Sequence, residues 1–237
     1  MQSQAATNGN TARKIQWRPE LALSNTEASQ SSGLKSIEAF GTVILVGRDQ
    51  EVYADGDPAD YCYKVVAGAV RTVKLMPDGR RQVADFYLPK DLFGFDSTDP
   101  RDLAAEAVTD TTLIRYPRRQ VEAQAQADVG FARLLRDMTF GSLRKAHKQM
   151  LLLGRKSAQE RIASFLLDLA ERACPANDDA IDLPMSRNDI ADHLGLTLET
   201  VSRVLNRLHR EDVITLASSH RVQLADREGL AEIGGEA

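Results

Sequence analysis

Residues 186–210 combine helix caps and polar side chains in a spacing that suits contact with DNA. The segment reads SRNDIADHLGLTLETVSRVLNRLHR. Ser186 is a residue type favoured before the first turn of a helix, Gly195 suits the turn that follows it, and Thr197 is a favoured N-cap for a second helix. Two short capped helices around a tight turn predict a helix-turn-helix, whose second helix lies in the major groove of DNA.

The predicted second helix has one apolar side and one polar side. At about 100° per residue, Val201, Leu205 and Leu208 fall on the first side, whereas Glu199 and Arg203 fall on the second. Arg203 has the paired donors that match guanine O6 and N7, and Glu199 accepts from the amino group of cytosine or adenine. A polar stripe alone is typical of any solvated helix, but here it coincides with both caps and the glycine turn. We therefore expect DNA contacts from Ser186, Thr197, Leu198, Glu199, Thr200, Ser202, Arg203, Asn206 and Arg207.

Two short apolar runs follow the predicted helix-turn-helix. Val213-Ile214-Thr215-Leu216 and Val222-Gln223-Leu224 flank the polar segment Ala217-Ser218-Ser219-His220-Arg221. Runs rich in β-branched residues around a polar turn predict a pair of strands. We expect this pair to be the wing of a winged helix-turn-helix.

The composition is that of a globular chain long enough for two domains. It has 237 residues, 43% hydrophobic and 27% charged, with a net charge of −4 and a pI of about 5.6. If a chain with this net charge binds nucleic acid, it does so through a local patch of positive charge and not through an overall positive charge. No run reaches the roughly 18 apolar residues of a membrane helix, and the N-terminus lacks the apolar core of a signal peptide. We therefore expect a cytoplasmic protein with no membrane partner.

Neither the cysteines nor the histidines are spaced for a metal site. The cysteines, Cys62 and Cys174, lie in no Cys-x-x-Cys motif. A cupin-like metalloenzyme would hold its metal through His and Glu inside a β-roll, and the predicted β region, residues 34–117, contains no histidine. We therefore expect no metal, no cofactor and no catalytic residue. The histidines are His147, His193, His209 and His220.

A tail and a β region precede the helix-turn-helix in the chain. Residues 1–33 are rich in Gln, Asn, Ser and Thr, which predicts a flexible tail. Residues 34–117 hold short apolar runs separated by turns that contain Gly and Pro, the pattern of a compact all-β unit. Within this unit, Asp78-Gly79 lies between two apolar runs and predicts a tight hairpin turn.

Residues 118–154 have a helical period and predict a long helix between two domains. Its apolar surface is wider than a helix on its own domain requires, which favours a partner helix from a second copy; the alternative is a core helix of a monomer. Ser157 and Glu160 have the spacing of a capping box at the start of the next domain, 155–230, which a short flexible tail, 231–237, follows. We expect the dimer contact along the stripe Leu134, Met138, Gly141, Lys145, Lys148 and Leu152.

Three segments resemble the Crp/Fnr family of transcription regulators. The first, similar to the family's DNA-binding domain, is LPMSRNDIADHLGLTLETVSRVLNRL. Within it, the Glu-x-x-Ser-Arg motif at Glu199, Ser202 and Arg203 resembles the motif of the Fnr and FixK branches. The second, similar to the family's cyclic-nucleotide-binding-like β-roll, is DGDPADYCYKVVAGAVRTVKLMPDGRRQVADFYLPKDLFGF. The third, similar to the hinge that follows the family's dimerisation helix, is LLLGRKSAQERIASFLLDLAER. The resemblance covers about residues 34–230. It implies an α+β chain with an N-terminal β-roll, a long dimerisation helix and a C-terminal winged helix-turn-helix.

The chain departs from the family pattern at the family's sensor sites. Oxygen-sensing members bind a [4Fe–4S] cluster through N-terminal cysteines, and residues 1–61 contain no cysteine. Cyclic-AMP receptors place an Arg-Ser pair and a Glu around the nucleotide, whereas here Arg101 lies among the aspartates of residues 96–102, which would repel a phosphate. The family's Leu-Pro-Gly-Asp is Leu88-Pro89-Lys90-Asp91 here, which alters that turn if the glycine has a positive φ.

The resemblance implies a homodimeric regulator, mainly an activator, that binds double-stranded DNA and RNA polymerase. Glu199, Ser202 and Arg203 would read each half of a TTGAT and ATCAA palindrome, in genes for low-oxygen or anaerobic metabolism. One alternative is a Crp-like regulator that requires a small-molecule effector in the β-roll, which predicts ligand-dependent DNA affinity. Another is an interaction scaffold in which the long helix only dimerises, which predicts that Glu199 and Arg203 are irrelevant to DNA binding.

Overall fold

The computed structural model describes residues 37–95, 100–173 and 179–235. An all-β unit comes first, then a series of helices that includes the longest one, and then a C-terminal unit of helices and short strands. The predicted tail 1–33, Cys174 and the aspartates at 96 and 99 lie outside the described residues. Among the helices described, none combines the length and the apolar composition that crossing a bilayer requires.

The N-terminal unit is a β-roll made of two four-stranded sheets. The sheets have the strand orders β1-β8-β3-β6 and β2-β7-β4-β5, with antiparallel pairing. Side chains alternate between the faces of each strand, so that Val65, Val70, Phe93 and Leu113 meet between the sheets and are buried. The strands are β1 Thr42–Val46, β2 Glu51–Tyr53, β3 Tyr61–Ala67, β4 Val70–Leu75, β5 Arg81–Tyr87, β6 Leu92–Phe93, β7 Ala104–Ala107 and β8 Thr111–Pro117.

The hairpin predicted at Asp78-Gly79 is confirmed. It joins β4 to β5, and the Met76 N–H donates to the Arg80 carbonyl at 2.8 Å to close the loop. Gly79 has a φ of 85°, which a residue without a Cβ adopts at no steric cost. The tip of this hairpin, from Leu75 to Arg80, is exposed.

The turn at Leu88-Pro89-Lys90-Asp91 keeps a positive φ although its third residue is a lysine. Lys90 has a φ of 83°, and its N–H donates to the Val65 carbonyl at 2.9 Å. The Asp91 carboxylate accepts from the Leu88 N–H at 2.8 Å and closes the other side of the turn. The surrounding hydrogen bonds therefore hold a lysine in a conformation that favours glycine.

The long helical segment is two helices rather than the single helix predicted over 118–154. α1 is Arg118–Ala127 and α2 is Val129–Arg155. Asp128 separates them with an extended backbone, its N–H donating to the Gln124 carbonyl at 2.9 Å. Its carboxylate accepts from the N–H groups of Gly130 and Phe131, so Asp128 is the N-cap of α2. The helical periodicity did not reveal this interruption because both helices have apolar faces.

The C-terminal unit follows the order predicted for a winged helix-turn-helix. α3 begins after the predicted capping box, in which the Ser157 N–H donates to Glu160 at 2.6 Å. The short strands form one sheet of order β10-β11-β9. The apolar faces of these helices and strands build one core that also includes Val73, Val83 and Phe86 of the β-roll. The elements are α3 Ala158–Ala173, β9 Ala180–Asp182, α4 Arg187–Leu194, α5 Leu198–Arg210, β10 Ile214–Ser218, β11 Arg221–Leu224 and α6 Arg227–Gly234.

The last helix, α6, extends into residues 231–237, for which the sequence predicts a flexible tail. Asp226 caps α6 by accepting from the Gly229 N–H at 2.9 Å, and Leu230 is fully buried. The Lys156 ammonium donates to the Gly234 carbonyl at 2.7 Å, which fixes the end of the helix to the hinge. The helix therefore continues four residues into the predicted tail, where Ala231 and Ile233 pack against the core.

Candidate nucleic-acid interface

The first helix of the helix-turn-helix, α4, begins at a capping box. The Ser186 hydroxyl accepts from the Asp189 N–H at 3.1 Å, while the Asp189 carboxylate accepts from the Ser186 N–H at 3.0 Å. α4 ends at Gly195, whose φ of 62° and ψ of 41° are left-handed. Ser186 and Gly195 thus occupy the positions that the sequence predicts for them.

The second helix, α5, is held by its apolar side. Thr197 is its N-cap, with the hydroxyl accepting from the Thr200 N–H at 3.2 Å. Val201, Leu205 and Leu208 are each no more than 1% exposed and pack into the C-terminal core. Because these residues recur every three or four positions, their burial directs the opposite side of α5 to solvent.

The solvent side of α5 carries hydrogen-bonding and charged groups. Glu199, Arg203 and Asn206 are exposed, and the Arg203 guanidinium donates to the Thr200 hydroxyl at 3.4 Å. Hydrogen bonds from its own backbone N–H and from the Thr197 hydroxyl lower the pKa of Glu199, with a further contribution from Arg203. A carboxylate acceptor and a forked cationic donor therefore lie side by side on the first turns of the helix.

The remaining residues predicted to contact DNA lie around this face, and they differ in their exposure and in the contacts that they already make. Leu198 is 40% exposed at the start of α5. Ser202 is half-buried beside Arg203, and Arg207 is exposed but forms an ion pair of 2.8 Å with Glu211. Ser186 is half-buried at the start of α4, where its cap hydrogen bond already uses the hydroxyl. Of the predicted residues of α5, Thr200 and Ser202 are half-buried, and the others are exposed.

Two parts of the chain match known domain families. Residues 44–128 match the cyclic nucleotide-binding domain, and residues 160–233 match the Crp-like helix-turn-helix domain. The chain belongs to the Crp/Fnr family. The Crp/Fnr chain is 45% identical to the nitrogen fixation regulation protein FixK of Azorhizobium caulinodans over 200 residues, which cover 83% of this chain and 81% of that one.

Two further relatives support the same conclusion for this Crp/Fnr protein. It is 37% identical to the transcriptional activator protein FnrL of Cereibacter sphaeroides, over 79% of this chain and 78% of that one. The solved structure of FixK2 from Bradyrhizobium japonicum superposes with a TM-score of 0.78 at 46% identity, over 81% of this chain and 96% of that chain. The relatives are transcription regulators, and the chain has the DNA-binding domain of such a regulator.

The β-roll of this Crp/Fnr chain uses Arg101 for its own packing. Arg101 is 2% exposed, its guanidinium lies 3.8 Å from the centre of the Tyr53 ring, and it donates to the Tyr61 carbonyl. Tyr63 and Phe93 stack beside it with ring centres 5.1 Å apart. The one arginine that the sequence offers to a phosphate in this region is thus directed into an aromatic cluster of the roll.

The long helix α2 of the Crp/Fnr chain has two apolar faces. Leu134 packs on the cluster around Phe131, Leu152 packs on the C-terminal core, and Lys145 lies 3.6 Å from Asp85. These three members of the stripe predicted for the dimer contact are therefore directed at their own chain, whereas Gly141 has open space beside it and Lys148 is exposed, so the dimer contact along this stripe stays a prediction. Both faces have the same three- and four-residue spacing, so the sequence did not show which one faces the roll. The opposite face exposes Phe140 (54%), Leu143 (50%), Met150 (64%) and Leu151 (60%).

Sequence reasoning missed the ionic contacts between the β-roll and α4. Arg71 of β4 and Arg81 of β5 both form ion pairs with Asp189, at 3.1 and 2.6 Å. The sequence held one weak signal of this contact. Arg71 interrupts the apolar run of β4, and a charged residue on a buried strand requires a charged partner.

Proposed function

We propose that this protein is a homodimeric, sequence-specific transcription regulator, mainly an activator, that binds a TTGAT and ATCAA palindrome through α5. The observation that carries the proposal is the exposed polar face of α5, where Glu199 and Arg203 lie opposite the buried Val201 and Leu205. In a helix-turn-helix this face enters the major groove. The relatives named FixK and FnrL support the same activity.

Each polar residue of α5 suits a particular role against DNA. The forked donors of Arg203 suit guanine O6 and N7, and the Glu199 carboxylate suits the amino group of cytosine or adenine. Leu198 suits the methyl group of thymine, and Ser202 suits a base edge or a phosphate. At the edges of the face, the polar groups that suit phosphate contacts belong to Ser186, Thr197, Thr200, Asn206 and Arg207.

A palindrome requires two copies of α5 related by a two-fold axis, with the half-sites about one helical turn apart. The exposed face of α2 provides a surface for this pairing. Phe140, Leu143 and Met150 recur at the three- and four-residue steps of a two-helix contact, with His147 between them. We therefore assign this face to the α2 helix of a second copy.

The proposed partners and targets follow from the resemblance to the FixK branch. As an activator, the protein would recruit RNA polymerase to its promoters. Its target genes would serve low-oxygen or anaerobic metabolism, and its level rather than a bound cluster or nucleotide would set its activity. The absence of cysteine from residues 1–61 and the packing of Arg101 support this part of the proposal.

The test is the affinity of the purified, aerobically handled protein, with no ligand added, for a duplex that carries TTGAT and ATCAA. A scrambled duplex of equal length and composition is the control, and the salt concentration is held fixed because phosphate contacts are salt-dependent. We expect selective binding of the palindrome by a dimer. Equal affinity for both duplexes would refute the assignment of this operator.

A second candidate is a regulator that requires a small-molecule effector. A cavity of about 840 Å³ lies between β4, β5, α2 and α3, and Thr72 lines it. The Thr72 hydroxyl is buried, and no hydrogen-bond partner for it exists among the described residues. If cyclic AMP added to the protein raised its affinity for the palindrome, and Thr72→Val removed that effect, this candidate would replace the ligand-independent one.

A further inference from the structure

We propose that Arg71 and Arg81 of the β-roll are positioning residues for DNA recognition, because they fix the orientation of α4, and with it α5, through Asp189 and Asp192. The inference rests on the proposed function, since it concerns how two copies of α5 meet two half-sites. Neither arginine lies on the exposed face of α5, so neither is proposed to contact DNA.

The contact at the first turns of α4 joins two arginines of the roll to two carboxylates of the helix. The Arg81 guanidinium donates to Asp189 at 2.6 Å and to Asp192 at 2.9 Å. Arg71 donates to the same Asp189 oxygen at 3.1 Å and is held from the other side by Glu106 at 2.8 Å. The Arg71 side chain is 9% exposed and that of Asp189 is 4%, so little water screens this pair.

Asp189 has two tasks in this contact. It completes the capping box of α4, in which one carboxylate oxygen accepts from the Ser186 N–H and hydroxyl, while the other oxygen accepts from Arg71 and Arg81. Burial acts to raise the pKa of Asp189, but the hydrogen bonds from Ser186 and the charges of Arg71 and Arg81 outweigh it, and the pKa lies below its usual value. The roll therefore holds α4 by the group that also begins the helix.

The other end of α4 is held as well. The His193 carbonyl accepts from Gln82 of the roll at 3.3 Å and from Gln149 of α2 at 2.8 Å. The His193 ring packs against Phe86 of the roll, with ring centres 5.2 Å apart. Two points of attachment, one at each end, define the direction of a helix, whereas one point would leave it free to pivot.

The fixed direction of α4 matters because α5 packs on α4 and keeps its polar face exposed. Two half-sites on DNA have a set separation and orientation, so a dimer whose α5 helices already match them loses little orientational freedom on binding. A dimer with loosely attached DNA-binding units reaches both half-sites only after ordering them. The contacts of Arg71 and Arg81 with the aspartates of α4 should therefore increase the affinity for the complete palindrome and leave the affinity for one half-site unchanged.

The experiment compares Arg81→Gln with Arg80→Gln. Arg80 lies on the same hairpin, with a side chain that is 83% exposed and an ion pair of 2.8 Å to Asp78 of its own turn. Three duplexes are used: the palindrome, one half-site, and a palindrome whose spacer is longer by half a helical turn. We expect Arg81→Gln to bind the palindrome about tenfold more weakly, to bind the half-site as the wild type does, and to discriminate less against the longer spacer. Arg80→Gln should behave as the wild type on all three.

A second variant separates positioning from damage to the fold. Asp192→Asn removes the other partner of Arg81 from a half-exposed site, and the Arg81→Gln, Asp192→Asn double variant should lose no more palindrome affinity than the larger single loss. Equal losses on the half-site and the palindrome would overturn the proposal, and so would a gain in palindrome affinity. If the wild type showed no preference for the palindrome, the proposed function itself would be refuted. If the wild type preferred the palindrome and Arg81→Gln bound it with the same affinity, only the positioning role would be refuted.

Discussion

Arg161, in the first turn of α3, donates a hydrogen bond of 2.8 Å to the carbonyl of Leu194, the last residue of α4. The same guanidinium donates to the carbonyls of Leu153 and Lys156 at 2.9 Å each. The last carbonyls of a helix have no partner within it, and one arginine here supplies partners for two helices. The side chain of Arg161 therefore joins α2, α3 and α4.

Arg161→Ala should lower the free energy of unfolding by about 2 kcal/mol, because it leaves half-buried carbonyls without a donor. Arg161→Lys should recover only part of the loss, since a single ammonium does not reach the same set of carbonyls as the fork. Chemical denaturation measures both variants, and Arg155→Ala, at an exposed site at the end of α2, is the control. A loss no larger than that of the control would contradict this role.

Lys90→Gly should stabilise the protein by about 1 kcal/mol, because glycine adopts the φ of 83° without the strain of a Cβ. Lys90→Ala is the matched control, since it removes the same charged chain and retains the Cβ. Thermal unfolding of the two variants checks the prediction. If Lys90→Ala stabilised as much as Lys90→Gly, the loss of the lysine side chain rather than backbone strain would be the cause.

Leu143→Glu should convert the proposed dimer to a monomer, because it places a charge in the middle of the exposed apolar face of α2. Sedimentation velocity measures the change in mass. Leu45→Glu is the control, at a residue that is 68% exposed on β1 of the roll. A Leu143→Glu protein that remained dimeric at micromolar concentration would show that this face of α2 is not the contact between copies.

Acidification should destabilise the protein through His193. Burial lowers the pKa of His193 below its usual 6.5, against the opposing effects of the Val83 carbonyl and of Asp85 and Asp168. The unfolded chain therefore takes up the proton first, so stability falls as the pH drops below about 6.5, by at most about 1.4 kcal/mol per pH unit. His193→Gln should reduce this slope in denaturation experiments across that range. The exposed His147→Gln is the control, and equal slopes in all three proteins would exclude His193 as the cause.

Local signals were sufficient to predict the helix-turn-helix. Ser186, Gly195 and Thr197 each have a conformational preference that acts over one turn of chain, and the structure places each at the predicted cap. The Asp78-Gly79 hairpin was predictable for the same reason. Such features depend on neighbours within about four residues, which the sequence displays directly.

Contacts between distant elements were not predictable in this way. The helical period of α2 did not show which of its apolar side chains face the rest of the chain, and only the position of the roll and of the C-terminal core decides that Leu134 and Leu152 face inward. The pairing of Arg71 with Asp189 joins residues that are 118 positions apart, and no local pattern specifies it. Asp128 resembles any polar helix residue until its side chain is seen to cap α2.

The measurement that tests the central claim most directly is the affinity of Arg203→Ala for the palindrome and for a palindrome with its guanine replaced. The wild type should prefer the guanine-containing duplex. Arg203→Ala should lose about 1–3 kcal/mol per half-site on that duplex and should no longer distinguish the two. Arg155→Ala should at most weaken binding to both by the same factor. If Arg203→Ala lost affinity equally for the palindrome and for random DNA, α5 would not read sequence through Arg203, and the proposed mode of recognition would be wrong.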